Sequence, residues 1–336
     1  MDRFLYYKME ESDTRASSGG KVELVLRRRF RLTANEISRL KFTAGGIMAL
    51  RGKKADERWE QVRVSDCLAA GDTLRVCLRG DDSTSDQVVP VSAPLSILYE
   101  DTDIIIVNKP SGVVTHPAHG HYTDTMANYL AGLYKERGED IVCRVIGRLD
   151  KDTSGALVWA KNRYAAARLK GSADAVKSEE AAFEREYLAL AAGHFEEKSG
   201  VITESIGKIP GSLNRQEIRS DGKSAVTRYQ VLDEARIKGT CEIATLLRVR
   251  IETGRSHQIR VHMAGMGHPL LGDALYNAVS ENSGFCRAAL HSYKVTLKKP
   301  FSEEWITITA PLPEDFAEAL KGFDFRANTL KESQEF

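Results

Sequence analysis

Cysteine is scarce. The chain has five in 336 residues, at positions 67, 77, 143, 241 and 286, and no two stand in a C-x-x-C pair. An odd number at such spacings argues against both a disulfide framework and a zinc site. An excess of either charge is also missing: 48 Lys and Arg stand against 47 Asp and Glu, a net +1. The molecule as a whole has no basic footprint, so any nucleic-acid surface has to be local. No apolar run approaches the length of a bilayer span, and the opening MDRFLYYKMEESDTR is too charged for a signal peptide. A reduced, cytoplasmic protein without a membrane partner is expected. Neither G-x-x-x-x-G-K-[ST] nor G-x-G-x-x-G occurs, which removes the common phosphate cradles, and no internal repeat is visible. What remains is ordinary globular material, 42% hydrophobic, enough for a large core.

Composition divides the chain unevenly. Residues 1–20 end in RASSGG and read as a loose lead-in. Residues 21–80 read as a small module. Its helix LTANEISRLKF has apolar positions Leu32, Ile37, Leu40 and Phe42, with Thr33 as N-cap and Glu36 completing a capping box. A short strand follows in AGGIMALRGKKA. Another follows in SDCLAAGDTLRVCL, where Leu74, Val76 and Leu78 alternate. Residues 81–94, DDSTSDQVVPVSAP, have linker composition. Residues 95–325 then mix helix candidates (TDTMANYLAGLYKERG, RYAAARLK) with strand candidates from ILYEDTDIIIVNKPSG to EWITITAP, and 326–336 form a tail. Strands without regular helix alternation indicate an α+β fold with a mixed, largely antiparallel sheet.

Two stretches carry chemistry. GRLDKDTSG, residues 147–155, sets Asp150 between Arg148 and Lys151 ahead of a buried-looking strand. Asp152 and Gly155 are ordinary turn chemistry, and on that reading Asp150 is a solvated turn residue. The alternative uses the cations: a carboxylate beside a guanidinium suits a nucleophile or an electrostatic stabiliser better than a proton donor. Glycoside hydrolysis usually needs a second carboxylic acid. Glu204 and Asp273 are the available candidates, and nothing local favours either. The other stretch, TGRSHQIRVHMAGMGHPLLGD at 253–273, crowds Arg255, His257, Arg260, His262 and His268 together. Ser256 reads as the cap of a helix in which Arg260 lies one turn on, placed to hold an anion, either Asp150 or a phosphate. His257 and His262 are five apart and do not share a helical face. HPAHGH, with His116, His119 and His121, reads as a loop. No metal is expected.

GRLDKDTSG, SHQIRVHMAGMGHPLLGDALY, the upstream IIIVNKPSGVVTHP and REYLALAAG, in this order and spacing, resemble the pseudouridine synthases of the RluA type. The long QIRVHMAGMGHPLLGD tail resembles this type more than the RsuA-type relatives, which also carry GRLD. The resemblance implies the pseudouridine synthase fold and conversion of uridine to pseudouridine in RNA, with no cofactor. It implies that Asp150 is the catalytic aspartate and that Arg148 acts where the base is extruded. It further implies that Tyr187 stacks on that base near the proton to be removed, that Arg260 pairs with Asp150, and that Ile259 lines the pocket. Attack at the sugar or at the base ring stays open. Gly147 departs from the pattern, in which histidine often precedes Arg-Leu-Asp.

The module at 21–80 is similar to the alpha-L RNA-binding fold of a small-subunit ribosomal protein, in a degenerate form with Ala49 and Leu50 near the usual asparagine of its V-N-G turn. Arg27, Arg28, Arg29 and Arg31 are the candidate phosphate contacts, or else a solvated face. The expected partner is RNA, with ribosomal RNA of the large subunit favoured over transfer RNA, acted on by a monomer. A non-catalytic RNA-binding or ribosome-assembly factor is the competing reading, and the presence of Asp150, Tyr187 and Arg260 weighs against it.

Overall fold

The computed structural model describes residues 2–15, 19–52, 58–78, 88–174, 183–212, 214–277 and 285–325. The tail at 326–336 and the acidic first half of the 81–94 stretch lie outside the described residues. The chain forms two compact units, Met1–Thr84 and Ser85–Phe336. Among the described residues no helix is long and apolar enough to cross a membrane.

The first unit runs β1 (Arg3–Lys8), α1 (Glu11–Arg15), α2 (Val22–Arg28), α3 (Ala34–Lys41), β2 (Ile47–Leu50), β3 (Glu60–Gln61) and β4 (Thr73–Leu78). Its antiparallel sheet has the order β1-β4-β2-β3. The capping box at α3 is formed as read: the Thr33 hydroxyl accepts from Glu36 N, and the Glu36 carboxylate accepts from Thr33 N. Residues 1–20 differ from the loose lead-in expected. RFLYYK is an edge strand paired with β4 along its whole length, with Leu5 buried. Its two-residue alternation is short and lies between charged flanks, so composition hid it. Two residues of the arginine run are engaged within the unit. Arg27 is bound to Glu23 one turn back, and Arg29 to Asp13, with its guanidinium over the Tyr7 ring. Arg31 takes a left-handed conformation at φ 50°.

The second unit runs β5 (Ile97–Glu100), β6 (Ile104–Lys109), α4 (Met126–Glu136), β7 (Arg144–Ile146), β8 (Ser154–Ala160), α5 (Arg163–Asp174), β9 (Phe183–Ala192), β10 (Ser199–Ile202), β11 (Ile206–Lys208), β12 (Gln216–Ile218), β13 (Thr227–Arg236), β14 (Ile243–Ile251), α6 (Gln258–Gly265), β15 (Leu290–Lys298), β16 (Trp305–Thr309) and α7 (Glu314–Lys321). A ten-stranded sheet takes the order β10-β13-β14-β9-β15-β8-β6-β5, with β16 on β15 and β7 on β8. Pairing is antiparallel except between β15 and β8, so the sheet is mixed, as the sequence predicts. The apolar runs of β6 and β8 are buried on both faces. Ile105, Val107, Leu157 and Trp159 pack with Met126, Leu130 and Tyr134 of α4. The alternate residues Ile104, Ile106, Ala156 and Val158 pack with Ala165, Ala166 and Leu169 of α5. Residues just ahead of β5 lie along α4, where Val91 N donates to Asn128 O and the Asn128 amide donates to Val89 O.

Candidate active site

GRLDKDTSG forms the tight connection from β7 into β8, and its shape is set from several sides. Gly155 has φ +110°, and a Cβ there would collide with the Ser292 backbone where β8 and β15 run parallel. The three carbonyls around Asp150 are each held by a donor from another part of the chain. The Thr115 hydroxyl donates to Leu149 O at 2.8 Å. Lys109 Nζ donates to Lys151 O and to Pro110 O, both at 2.8 Å. Arg287 Nη1 donates to Asp152 O at 2.9 Å, while the rest of that guanidinium forks onto Asp315 of α7 at 2.6 and 2.9 Å. The turn that carries Asp150 is thus fixed in its backbone while the Asp150 side chain stays partly open to solvent.

Asp150 faces a cleft of about 690 Å³. Arg148, Lys151, Arg255, Arg260 and Arg287 line it against Asp150, Asp152 and Asp273. The basic surface absent from the whole molecule is therefore present here. Arg260 does approach Asp150, Nη1 to Oδ2 at 3.8 Å, but its tight partner is another residue. It forks onto Asp273, Nε to Oδ2 at 2.7 Å and Nη2 to Oδ1 at 2.6 Å, and that carboxylate has no solvent exposure. A bidentate fork fixes the guanidinium plane and leaves Nη1 free to face Asp150. Burial alone would lower the Arg260 pKa, and the Asp273 pair outweighs it and raises it. The Tyr276 ring lies 5.2 Å from the guanidinium.

Several expected placements are revised. Ser256 does not cap α6: the N-cap is His257 in a left-handed conformation, φ 54°, with no side-chain cap. Gln258 closes the turn instead, its Oε1 accepting from Arg255 N and from the Thr253 hydroxyl. Tyr187 is 3% exposed within the core and is absent from the cleft wall, as is Ile259. Burial raises the Tyr187 pKa; Arg185 lowers it in part and the Asp150 charge adds to the rise. Arg148 is exposed on the cleft wall. Gly147, at φ +71°, takes a left-handed conformation that a histidine would strain, and the Arg185 guanidinium lies beside it. Three of the other histidines have clear partners: His116 packs edgewise on Trp159, His121 meets Asp124, and His262 bonds Thr227 and Glu204 O. Glu204 is absent from the cleft wall and Asp273 is locked to Arg260, which leaves the glycosidase reading without either of its two candidate acids. Lys109 and Arg287 went unread as site residues, and Asp273 was read only as a possible second acid, not as the partner of Arg260. NKP just ahead of a glycine turn, and GD after HPLL, were the available signals.

The family model described as RNA pseudouridylate synthase matches residues 103–265. The uncharacterized RNA pseudouridine synthase YhcT of Bacillus subtilis is 39% identical over 72% of this chain and 76% of its own length. Ribosomal large subunit pseudouridine synthase D of Escherichia coli is 35% identical over 74% of this chain and 76% of its own length. Human RNA Pseudouridylate Synthase Domain Containing 1 superposes with a TM-score of 0.53 at 26% identity, covering 72% of this chain and 95% of that one. Fold and family match thus define the class, an isomerase that makes pseudouridine in RNA. Within that class the chain belongs to the RluA-type pseudouridine synthases.

Proposed function

We propose that this enzyme isomerises specific uridines of large-subunit ribosomal RNA, with Asp150 as the attacking carboxylate. The observation that carries the proposal is the arrangement around Asp150: a carboxylate open to an arginine-rich cleft, with Arg260 facing it, on a turn whose carbonyls are pinned. The ribosomal substrate is supported by relatives named as large-subunit enzymes.

The chemistry follows from these groups. The bond between the base N1 and the sugar C1′ breaks, the base turns, and C5 bonds to C1′. The C5 proton is lost and N1 is free to carry one, so the reaction is redox-neutral. Asp150 forms a transient covalent bond to the nucleotide and leaves again. Arg260, held by Asp273, faces that carboxylate and offsets its charge as the covalent bond breaks. Arg148 stands at the mouth, where the target base leaves its stack at a cost of a few kcal/mol. Tyr187 is buried as a neutral phenol in the core cluster that also holds Ile259 and Leu149, the neighbour of Asp150.

The test is a pseudouridine map of unmodified ribosomal and transfer RNA after incubation with the enzyme or with Asp150→Asn. New pseudouridine at discrete positions of large-subunit RNA, absent with the variant, is expected. Modification confined to transfer RNA would overturn the substrate, and full activity of the variant would overturn the role of Asp150.

A further inference from the structure

We propose that the outer face of the sheet in the first unit is a stacking platform for single-stranded RNA. The alternation in RFLYYK turns Leu5 inward and Phe4, Tyr6 and Lys8 outward. Register carries that outer face across the sheet in one row, Tyr6 opposite Arg75, Arg75 opposite Met48, and Met48 opposite Gln61. Trp59 precedes β3 and meets the Tyr6 ring at 6.0 Å and 64°. The Arg75 guanidinium lies 4.5 Å from the Trp59 centroid and 5.4 Å from that of Phe4. The inner face, with Ile47, Ala49, Leu74 and Val76, is core.

Three rings and a guanidinium on one sheet face are costly to leave in water. Tyr6 is 58% and Phe4 37% exposed. Scattered apolar side chains on a surface need no explanation, but rings joined through one arginine form a patch. Flat aromatic and guanidinium surfaces are what unpaired bases stack on, and such contacts tolerate any sequence. Charge points the same way. Lys8 and Arg75 belong to this face, while Glu60 and Asp72 are both engaged by Arg51. The arginine run of α2 is the weaker candidate, because Arg27 and Arg29 are bound to Glu23 and Asp13. The proposal takes from the reading above only that the substrate is RNA.

The experiment uses the full chain and a single-stranded RNA carrying 4-thiouridine. After irradiation, crosslinks are expected in the peptides that hold Tyr6 and Trp59 as well as in the cleft. Binding is measured in parallel by fluorescence anisotropy with a labelled single-stranded dodecamer. Tyr6→Ala should weaken it roughly tenfold, Tyr6→Phe should restore it, and Tyr6→Leu should not. Tyr6 is exposed, so these variants should melt like the parent. Crosslinks confined to the cleft, together with parental binding by Tyr6→Ala, would overturn the platform. So would a parental chain that sediments as a dimer and a Tyr6→Ala chain that sediments as a monomer, since the face would then join two copies. Asp150→Asn should keep the Tyr6 and Trp59 crosslinks. If it also keeps full activity, the reading of Asp150 fails while the platform stands.

Discussion

The Arg260–Asp273 fork is the part of the site whose removal has the plainest consequence. Arg260→Ala would strand the Asp273 carboxylate, fully buried, without its cation. Breaking a buried pair from one side costs about 3–5 kcal/mol. Arg260→Ala should therefore lower the urea midpoint as well as activity, whereas Asp150→Asn, at a partly exposed position, should abolish turnover with the midpoint unchanged. Lys109 gives a pH signature. Burial pushes its pKa down to about 7, so across pH 7–10 the folded chain holds it neutral while the unfolded chain holds it charged. The unfolded state then binds more protons, and stability rises with pH through that window, on the order of 1.4 kcal/mol per pH unit at most. The neutral amine still has two N–H bonds for its two carbonyl acceptors. Urea midpoints from pH 7 to 9 should climb in the parent more steeply than in Lys109→Met; equal slopes would mean that Lys109 titrates normally. At this scale the sequence was legible for residues that stand within a motif, such as Asp150 and Arg148. It was not for their supports, since Asp273 reaches Arg260 and Lys109 reaches Lys151 O only through the fold.

At the scale of elements, legibility follows the range of the cause. The α3 cap is written in Thr33 and Glu36, three residues apart, and the buried strands β6 and β8 are written in unbroken apolar runs. The start of α6 is not, because a left-handed His257 and the Gln258 side chain replace the serine cap that composition favours. Nor is the parallel meeting of β8 with β15, which joins residues more than a hundred positions apart. That crossing sets up a prediction for α7. Phe316 and Leu320 anchor the helix in the core, and Asp315 reaches from it to Arg287, which holds Asp152 O. Asp315 is half-exposed and absent from the cleft wall, so Asp315→Ala cannot act by losing a substrate contact. Loosening Arg287 should let the turn move and lower kcat severalfold with KM nearly unchanged. A rise in KM alone would show that Arg287 serves binding rather than the placement of Asp150.

For the whole molecule, net charge +1 conceals a divided surface. The cations gathered on the cleft are balanced by acids elsewhere, so the global charge says little about RNA affinity. Each phosphate neutralised releases condensed counterions, at about 0.7 of a logarithmic unit of salt dependence per contact on a single strand. Arg148 and Arg255 line the cleft, and neither carries the buried carboxylate duty of Arg260. Arg148→Gln and Arg255→Gln should each flatten the plot of log affinity against log salt by about that amount, with the fold intact. Stacking on Tyr6 involves no counterion, so Tyr6→Ala should shift the same plot downward without changing its slope. A salt titration of the parent and these three variants therefore separates the two modes: parallel lines mark a lost stacking contact, and converging lines a lost phosphate contact. If Tyr6→Ala changed the slope instead, the first unit would be holding RNA by charge, and the arginine run on α2 would return as its contact surface.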